Sequence, residues 1–74
     1  MIGKGSAILP NATVNNDVVV TYGCVIDIGS IIDHHVLLGN GVHVSPGAVV
    51  RSNNLIPAFM NVDGEVKEGQ YPFS

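Results

Sequence analysis

Aliphatic residues recur at every sixth position along this chain. One aliphatic side chain, here termed the anchor, begins each hexad; the anchors are Ile2, Ile8, Val14, Val20, Ile26, Ile32, Leu38, Val44, Val50, Ile56 and Val62. At this chain's content of Ile, Leu and Val, such an uninterrupted run arises by chance with odds on the order of one in a hundred thousand. The six-residue period is therefore a true internal repeat, and it indicates a repetitive fold.

Two further columns of the hexad follow the same period. Four residues after each anchor lies a small side chain: Ser6, Ala12, Val18, Cys24, Ser30, Val36, Val42 and Ala48. Three residues after each anchor lies, with one exception, Gly, Asn or Asp: Gly5, Asn11, Asp17, Gly23, Gly29, His35, Gly41, Gly47 and Asn53. Gly, Asn and Asp tolerate left-handed backbone conformations. Each hexad is therefore predicted to be a short strand followed by a bend.

A bend at this interval predicts an all-β chain that winds through a triangle. Three hexads make one coil of about eighteen residues, and stacked coils pair strand on strand in a short parallel β-helix of about three coils. The pattern weakens after Ser52, because Phe59 occupies the turn column and Asn54 and Met60 occupy the small-residue column. We therefore assign residues 1–52 to the β-helix and residues 53–74 to an irregular C-terminal capping segment.

Aliphatic side chains also occupy positions predicted to face outward. They directly precede the anchors and include Val19, Val25, Ile31, Leu37 and Val49. An apolar surface of this kind on so small a unit favours burial between copies of the chain, and a three-sided prism suits a threefold axis. The alternative is that the C-terminal segment of the same chain covers these side chains.

Composition excludes several functional classes. The 74 residues contain three Lys and Arg against six Asp and Glu, a net charge of −3, which argues against a nucleic-acid groove or an anionic-membrane anchor. The single cysteine, Cys24, excludes an intrachain disulfide and lies in the small-residue column, where we expect it to pack as a small hydrophobe. No apolar run approaches the ~20 residues of a membrane span, and no signal peptide precedes the first hexad, so we expect a cytoplasmic protein.

Five hexads carry a resemblance to a known family. IGKGSA, ILPNAT, IDIGSI, LGNGVH and VSPGAV are similar to the bacterial transferase hexapeptide pattern, whose members form left-handed β-helices. Residues 29–48 contain His34, His35 and His43 and resemble the sialic-acid and nucleotide-sugar O/N-acetyltransferases. The resemblance is limited to the C-terminal β-helix of that family. The resemblance implies an acyltransferase that uses acetyl-CoA and a small sugar or amino-sugar substrate.

The resemblance also implies a role for several of these residues. Family members are homotrimers that bind acetyl-CoA between neighbouring β-helices, and a histidine accepts the acceptor's proton. The motif assigns that role to His34 and a site-lining role to His43. Arg51 and Ser52 are implied to flank the thioester, with main-chain N–H groups nearby for its oxygen. A neutral imidazole is suited to the proton transfer, because it titrates near neutral pH.

One position departs from the family pattern. The family places Asp or Glu directly after the catalytic histidine, where this chain has His35. We assign Asp33 and His35 to acceptor binding, while their simpler interpretation is that both serve the turn. His34 and His43 are equally consistent with surface or interface contacts. The alternative function is a catalytically inactive β-helix module for oligomerisation or binding.

A metal-dependent trimer is the third and least favoured interpretation. The γ-class carbonic anhydrases hold zinc with histidines shared across a β-helix interface, and His34, His35 and His43 offer nitrogen ligands. That class pairs two histidines five residues apart after a distant third, a spacing that this chain lacks. We therefore expect no metal.

Overall fold

The structure, a computed structural model, describes residues 1–73 and contains only short strands and turns in that range. In chain order the strands are β1 Ala7–Ile8, β2 Thr13–Val14, β3 Val18–Val20, β4 Val25–Ile26, β5 Ile31–Ile32, β6 Val36–Leu38, β7 His43–Val44, β8 Val49–Val50, β9 Asn54–Ile56, β10 Asn61–Val62 and β11 Glu65–Val66. The described part of the chain has no helix that is long and apolar enough to cross a membrane.

The strands form three parallel sheets, one on each side of a triangular prism. The sheets run in the order β1-β4-β7-β10, β2-β5-β8-β11 and β3-β6-β9, and Ile2 extends the third by a bridge to Val20. Strands pair with strands one coil away; Val25, for example, pairs with His43. The prediction of an all-β parallel β-helix of about three coils is confirmed.

The anchors fill the interior of the prism. From the second coil onward every anchor is buried: Val20, Ile26, Ile32, Leu38, Val44, Val50, Ile56 and Val62. From Val18 to Asn54 the small-residue column is buried beside them, and Cys24 lies in it as a buried free thiol. Parallel stacking of identical hexads thus produces a continuous aliphatic column, which supplies the hydrophobic stabilisation of the fold.

The turn column adopts the left-handed backbone conformation that its composition predicts. The exception in that column, His35, has φ 58° and takes the same conformation as Asp17 at 61° and Asn53 at 63°. Histidine is one of the non-glycine residues enriched in this region. His35 is therefore a turn residue, and the turn fixes where its ring projects.

The β-helix extends beyond the boundary predicted from the sequence. Strand β9 pairs in register with β6, and strands β10 and β11 pair with β7 and β8, so coiling continues past residue 52 to Val66. Phe59, which interrupts the sequence pattern, adopts φ 64° and serves as a turn residue despite its bulk. The last turn is shortened, because Glu65 pairs with Val49, sixteen residues away instead of eighteen.

The two ends of the prism differ. In the first coil, Ile2 and Ile8 are 47% and 42% exposed, because only one neighbouring coil covers them. At the other end, Val66 is buried and Tyr71 packs against the core. The segment after Val66 contains no strand up to residue 73 and covers this end of the prism.

The outward aliphatic side chains lie where the alternation of the strands predicts. Val19, Val25, Leu37 and Val49 are half-buried, and Ile31 is exposed. Val19 and Leu37 belong to the sheet β3-β6-β9, where Leu55 continues their column. This sheet therefore presents an aliphatic outer face that the chain's own tail leaves partly uncovered.

Candidate functional site

Five of the six candidate site residues meet at one corner of the prism. Asp33, His34 and His35 follow strand β5, and Arg51 and Ser52 follow strand β8. Because β5 and β8 pair in register, the two turns lie one directly above the other. We use the name histidine corner for residues 33–35 together with residues 15–17 one coil before and 51–53 one coil after.

The imidazole of His34 is exposed and has polar contacts on one edge. Its Nδ1 lies 3.1 Å from Nδ1 of His35 and 3.4 Å from the hydroxyl of Ser52. Its Nε2 lies 3.7 Å from Oδ1 of Asp33, which is longer than a hydrogen bond. In the tautomer protonated at Nδ1, the proton is donated towards His35 or Ser52, and Nε2 keeps a lone pair that can accept a proton.

His35 links His34 to a carboxylate one coil away. The two imidazole rings meet edge to face at 85°, with centroids 5.3 Å apart. On its other edge, Nε2 of His35 lies 3.7 Å from Oδ2 of Asp17. His35 therefore stands between His34 and Asp17.

Asp33 contributes to the turn and to the charge beside His34. Its Oδ1 accepts a hydrogen bond from the backbone N–H of His34 at 2.9 Å and from the amide of Asn15 at 3.4 Å. The hydrogen bond from the His34 backbone is the largest cause that lowers the pKa of the Asp33 carboxyl below its usual range. Asp33 is therefore an anion at neutral pH that fixes the backbone at His34.

Ser52 is buried at 6% exposure, and its hydroxyl contacts the ring of His34 from the coil above. Arg51 is exposed and directed to Glu65, whose carboxylate accepts a hydrogen bond from Nε at 2.8 Å. This hydrogen bond raises the pKa of the Arg51 guanidinium. The backbone N–H of Arg51 donates to the carbonyl of Val66 at 2.9 Å, so this group is not free to hold a thioester oxygen.

His43, the sixth candidate, lies on strand β7 in the sheet β1-β4-β7-β10, whereas the histidine corner joins the other two sheets. The chain therefore does not bring His43 and His34 together. Nε2 of His43 lies 3.1 Å from Oδ2 of Asp27, and Nδ1 lies 3.1 Å from Oδ1 of Asn61. Both ring nitrogens are engaged within the chain, so neither is free to contact a substrate.

Asp27 and Asn61 are partners of His43 that the sequence analysis did not assign to a site. A hydrogen bond from the backbone N–H of Ile28 is the largest cause that lowers the pKa of Asp27, and His43 adds to it. The register carried a signal for one partner, because Asn61 lies one coil after His43. Nothing in the spacing pointed to Asp27, whose carboxylate reaches His43 from the turn after β4.

A groove opens on the first-coil side of His34. It has a volume of about 510 Å³ and is lined by Val14, Asn15, Asn16, Asp17, His34 and His35. Its first-coil residues were also absent from the candidate set, although the eighteen-residue register places residues 15–17 directly below 33–35. The groove gives the ring of His34 a concave neighbourhood in which a small molecule can lie.

Among residues 1–73, no group of three or more His, Cys, Asp or Glu side chains is arranged to hold a metal ion. Comparisons with protein-family models, with curated proteins and with solved structures find no match to this chain. The β-helix and the geometry of the histidine corner are therefore the grounds on which a function is proposed.

Proposed function

We propose that this chain is an acetyl-CoA-dependent acyltransferase that acts on a sugar or amino sugar, with His34 as the general base. The observation that carries the proposal is the setting of His34. Its ring is exposed beside a groove, and its Nδ1 contacts His35 and Ser52, so that in the tautomer protonated at Nδ1 the nitrogen Nε2 can accept a proton. A general base needs a ring nitrogen that can accept a proton and access to its substrate.

The reaction that fits this arrangement is direct transfer. The acceptor's nitrogen or oxygen forms a bond to the thioester carbonyl carbon, the carbon–sulfur bond breaks, and the thiolate of CoA leaves. Nε2 of His34 takes the proton that the attacking atom loses and returns it to the departing sulfur. Because no covalent intermediate on the protein is needed, the buried thiol of Cys24 has no part in the reaction.

His35 and Asp17 act as positioning residues in this proposal. In the pair of tautomers in which Nδ1 of His34 donates to Nδ1 of His35, His35 carries its own proton on Nε2, the nitrogen that lies 3.7 Å from Oδ2 of Asp17. The carboxylate of Asp17 favours this pair of tautomers, whereas Asp33, whose Oδ1 lies at the same distance of 3.7 Å from Nε2 of His34, favours a proton on that nitrogen. Ser52 supports the same ring from the coil above.

Acetyl-CoA would be held at the upper part of the histidine corner. Two of the chain's three Lys and Arg residues lie there, Arg51 after β8 and Lys67 after β11. Cationic side chains are the groups that anionic phosphates favour in proteins. Arg51 is already paired with Glu65, so Lys67 is the more available cation of the two.

A homotrimer would complete this site. The aliphatic outer face of the sheet β3-β6-β9 adjoins the histidine corner, and burial of that face would place a neighbouring chain beside His34. His43 lies on another side of the prism, so it would reach the site of a neighbouring copy rather than its own. The half-buried aliphatic column of Val19, Leu37 and Leu55 supports this assembly.

Titration calorimetry with acetyl-CoA, followed by an assay for CoA release with amino sugars, tests the proposal. We expect saturable binding near one ligand per chain, and we expect His34→Ala to abolish CoA release without a change in oligomeric mass. Tyr22→Phe is the matched control, because Tyr22 is exposed at another corner. Absence of binding at high ligand concentration would instead favour an inactive β-helix module, an alternative that the departure at His35 supports.

A further inference from the structure

We propose that residues 67–73, here termed the cap, keep copies of this chain from stacking end to end, and that the end surface under the cap fits the first coil of a second copy. This axial contact is separate from the histidine corner and from the outer face of the sheet β3-β6-β9, so it does not depend on acyl transfer. The cap would then decide between a discrete particle and a filament.

Interior side chains are shielded differently at the two ends of the prism, although each end coil has only one neighbouring coil. In the first coil, Ile2 and Ile8 are exposed. The interior side chains of the last strand in each sheet are all buried: Ile56, Val62 and Val66. The half-buried side chain of Tyr71, which lies in the cap, packs against this core. The cap therefore does at one end what no part of the described chain does at the other.

The backbone of Tyr71 takes the place of a further strand beside β9. The N–H of Leu55 donates to the carbonyl of Tyr71 at 2.7 Å, and the N–H of Tyr71 donates to the side-chain oxygen of Asn54. Between coils, the corresponding bond joins neighbouring coils of the same sheet, as from the N–H of Gly39 to the carbonyl of Ile56 at 2.8 Å. A strand edge with free backbone groups is a template for pairing with another chain, and the cap occupies that edge at β9.

Two further hydrogen bonds fasten the cap to the last coil. The N–H of Gly69 donates to the carbonyl of Ser52 at 3.1 Å, and the side chain of Asn53 donates to Glu68 at 3.2 Å. Gly69 adopts φ 66°, a left-handed turn. Because the cap contains no strand, it belongs to the less stable part of the fold and can be released without unfolding the coils.

The first coil of a second copy is the surface that fits the uncovered end. Within the described chain, two sheets begin with β1 and β2 and the third begins with Ile2; the same sheets end with β10, β11 and β9. Stacking one copy on another would continue all three sheets with parallel strands and would continue the interior column with aliphatic side chains. Such a contact repeats the one that already joins each coil of this chain to the next.

This contact joins two unlike surfaces, and that determines its outcome. A head-to-tail contact between unlike surfaces forms a ring if its rotation closes and an open filament if it does not. Stacking along the axis of the prism does not close, because every copy adds its length in the same direction. Release of the cap therefore leads to growth without a fixed number of copies.

Light scattering of the full chain over a range of concentrations tests the role of the cap. Tyr71→Gly removes the side chain that packs against the core. Gly69→Pro releases the same segment by another route, because proline cannot adopt a positive φ and has no N–H for Ser52. We expect the mass of both variants to rise severalfold with concentration without a plateau, where the native chain keeps one mass, and electron micrographs to show rods.

Matched variants separate this contact from general stickiness. Phe73→Gly removes an exposed aromatic side chain from the same segment and should keep the native mass. Ile8→Lys, added to Tyr71→Gly, places a charge on the edge of the first coil and should restore the native mass. Ile28→Lys in the same background should not, because Ile28 is an exposed turn residue after β4, away from the edge of the first coil.

Three results would overturn the proposal. The first is a constant mass in both Tyr71→Gly and Gly69→Pro while their circular dichroism spectra match that of the native chain. The second is assembly that persists when Ile8→Lys is added, since the first coil would then not be the partner surface. The third is loss of the native spectrum in both cap variants, which would make the segment a part of the folding unit rather than a cover.

Discussion

The side-chain oxygen of Asn54 accepts a hydrogen bond from the backbone N–H of Tyr71 at 2.7 Å. Asn54 is fully buried, and its amide nitrogen donates to the carbonyls of Arg51 at 2.9 Å and Lys67 at 3.0 Å. A single interior side chain thus joins the turn after β8, the turn after β11 and the tail that covers the prism. These hydrogen bonds explain how a polar side chain in the small-residue column is accommodated in the interior of the β-helix.

We expect Asn54→Ala to destabilise the chain by about 2–4 kcal/mol, because buried backbone groups lose their partners and a cavity replaces the amide. Chemical denaturation followed by circular dichroism measures the change. Asn16→Ala is the matched control, since Asn16 is exposed at the same corner, and its cost should remain within about 0.5 kcal/mol. Equal midpoints for the two variants would show that Asn54 does not hold the tail.

Gly39 is required because two coils approach closely there, whereas Gly47 is required because the backbone there is left-handed. A Cβ at Gly39 would lie 2.7 Å from the backbone nitrogen of Ala58, whereas a Cβ at Gly47 would meet nothing within 4 Å but would sit at φ 72°. We expect Gly47→Ala to cost about 1–2 kcal/mol from the left-handed conformation alone.

Gly39→Ala should cost more than Gly47→Ala, because the coil above must move to admit the methyl group. Thermal unfolding of the two variants side by side makes the comparison. If Gly39→Ala proved the milder substitution, the close approach of the two coils at Gly39 would be contradicted.

The period of the sequence was sufficient to predict the coil, its interior column and its turns, because each hexad repeats the same local geometry. The last coil was missed because Phe59 is an unusual residue for a left-handed turn and Asn54 an unusual one for the interior. Both are accommodated by tertiary contacts: Asn54 by its hydrogen bonds, and Phe59 by a neighbouring Gly41 that leaves space for its ring. Such contacts have no signature in the spacing.

For the candidate site, the sequence likewise predicted which residues stack but not which side chains make contact. The register alone places Ser52 above His34, and the structure confirms that stacking with a contact of 3.4 Å. The contact between His43 and Asp27 depends on how far two side chains reach from different strands, which a one-dimensional pattern does not encode. The link from His34 through His35 to Asp17 likewise depends on ring orientation.

If the chain is the proposed acyltransferase, His35→Asp should preserve the activity that His35→Asn loses. Both substitutions suit the left-handed turn at φ 58°, so the fold is maintained in each. The carboxylate of the first can accept the Nδ1 proton of His34, whereas the amide supplies no charge. We expect about a tenfold or greater fall in kcat for His35→Asn, in the range of a lost positioning contact.

The ring-nitrogen shifts of His34, measured by NMR, report its tautomer independently of activity. The Nδ1-protonated form should dominate in the native chain and in His35→Asp, and should decline in His35→Asn. An unchanged tautomer in all three proteins would refute the positioning role of His35.

Acid should weaken the fold through Asp27 and Asp33. Hydrogen bonds from the backbone lower the pKa of both carboxyls in the folded chain below their usual range. Their contribution to stability is therefore fully present above the pKa of the unfolded chain, and it is lost as the pH falls through the folded pKa. Denaturation at neutral pH and near pH ~3 should show this loss.

The variant Asp27→Asn isolates one of the two groups. Asn keeps an oxygen for the backbone N–H of Ile28 but cannot titrate, so the difference in stability between the two pH values should shrink. Asp63→Asn, for which no comparable contact exists in the described chain, should leave that difference unchanged. A pH dependence identical in the native chain and in Asp27→Asn would contradict the assignment.

The last prediction concerns oligomerisation through the outer face of the sheet β3-β6-β9. Leu37 lies at its centre, with Val19 one coil before and Leu55 one coil after. If copies of the chain pack through this face, Leu37→Glu introduces a charge into each copy of the interface, and the cost of burying it unpaired exceeds the gain from the remaining contacts.

Light scattering should then give the mass of a trimer for the native chain and of a monomer for Leu37→Glu. Thr13→Glu, on an exposed position of another sheet, should keep the mass of the native chain. Because the proposed site is formed between copies, Leu37→Glu should also lose acetyl-CoA binding while its circular dichroism spectrum is unchanged; a monomeric native chain that binds acetyl-CoA would exclude an interfacial site.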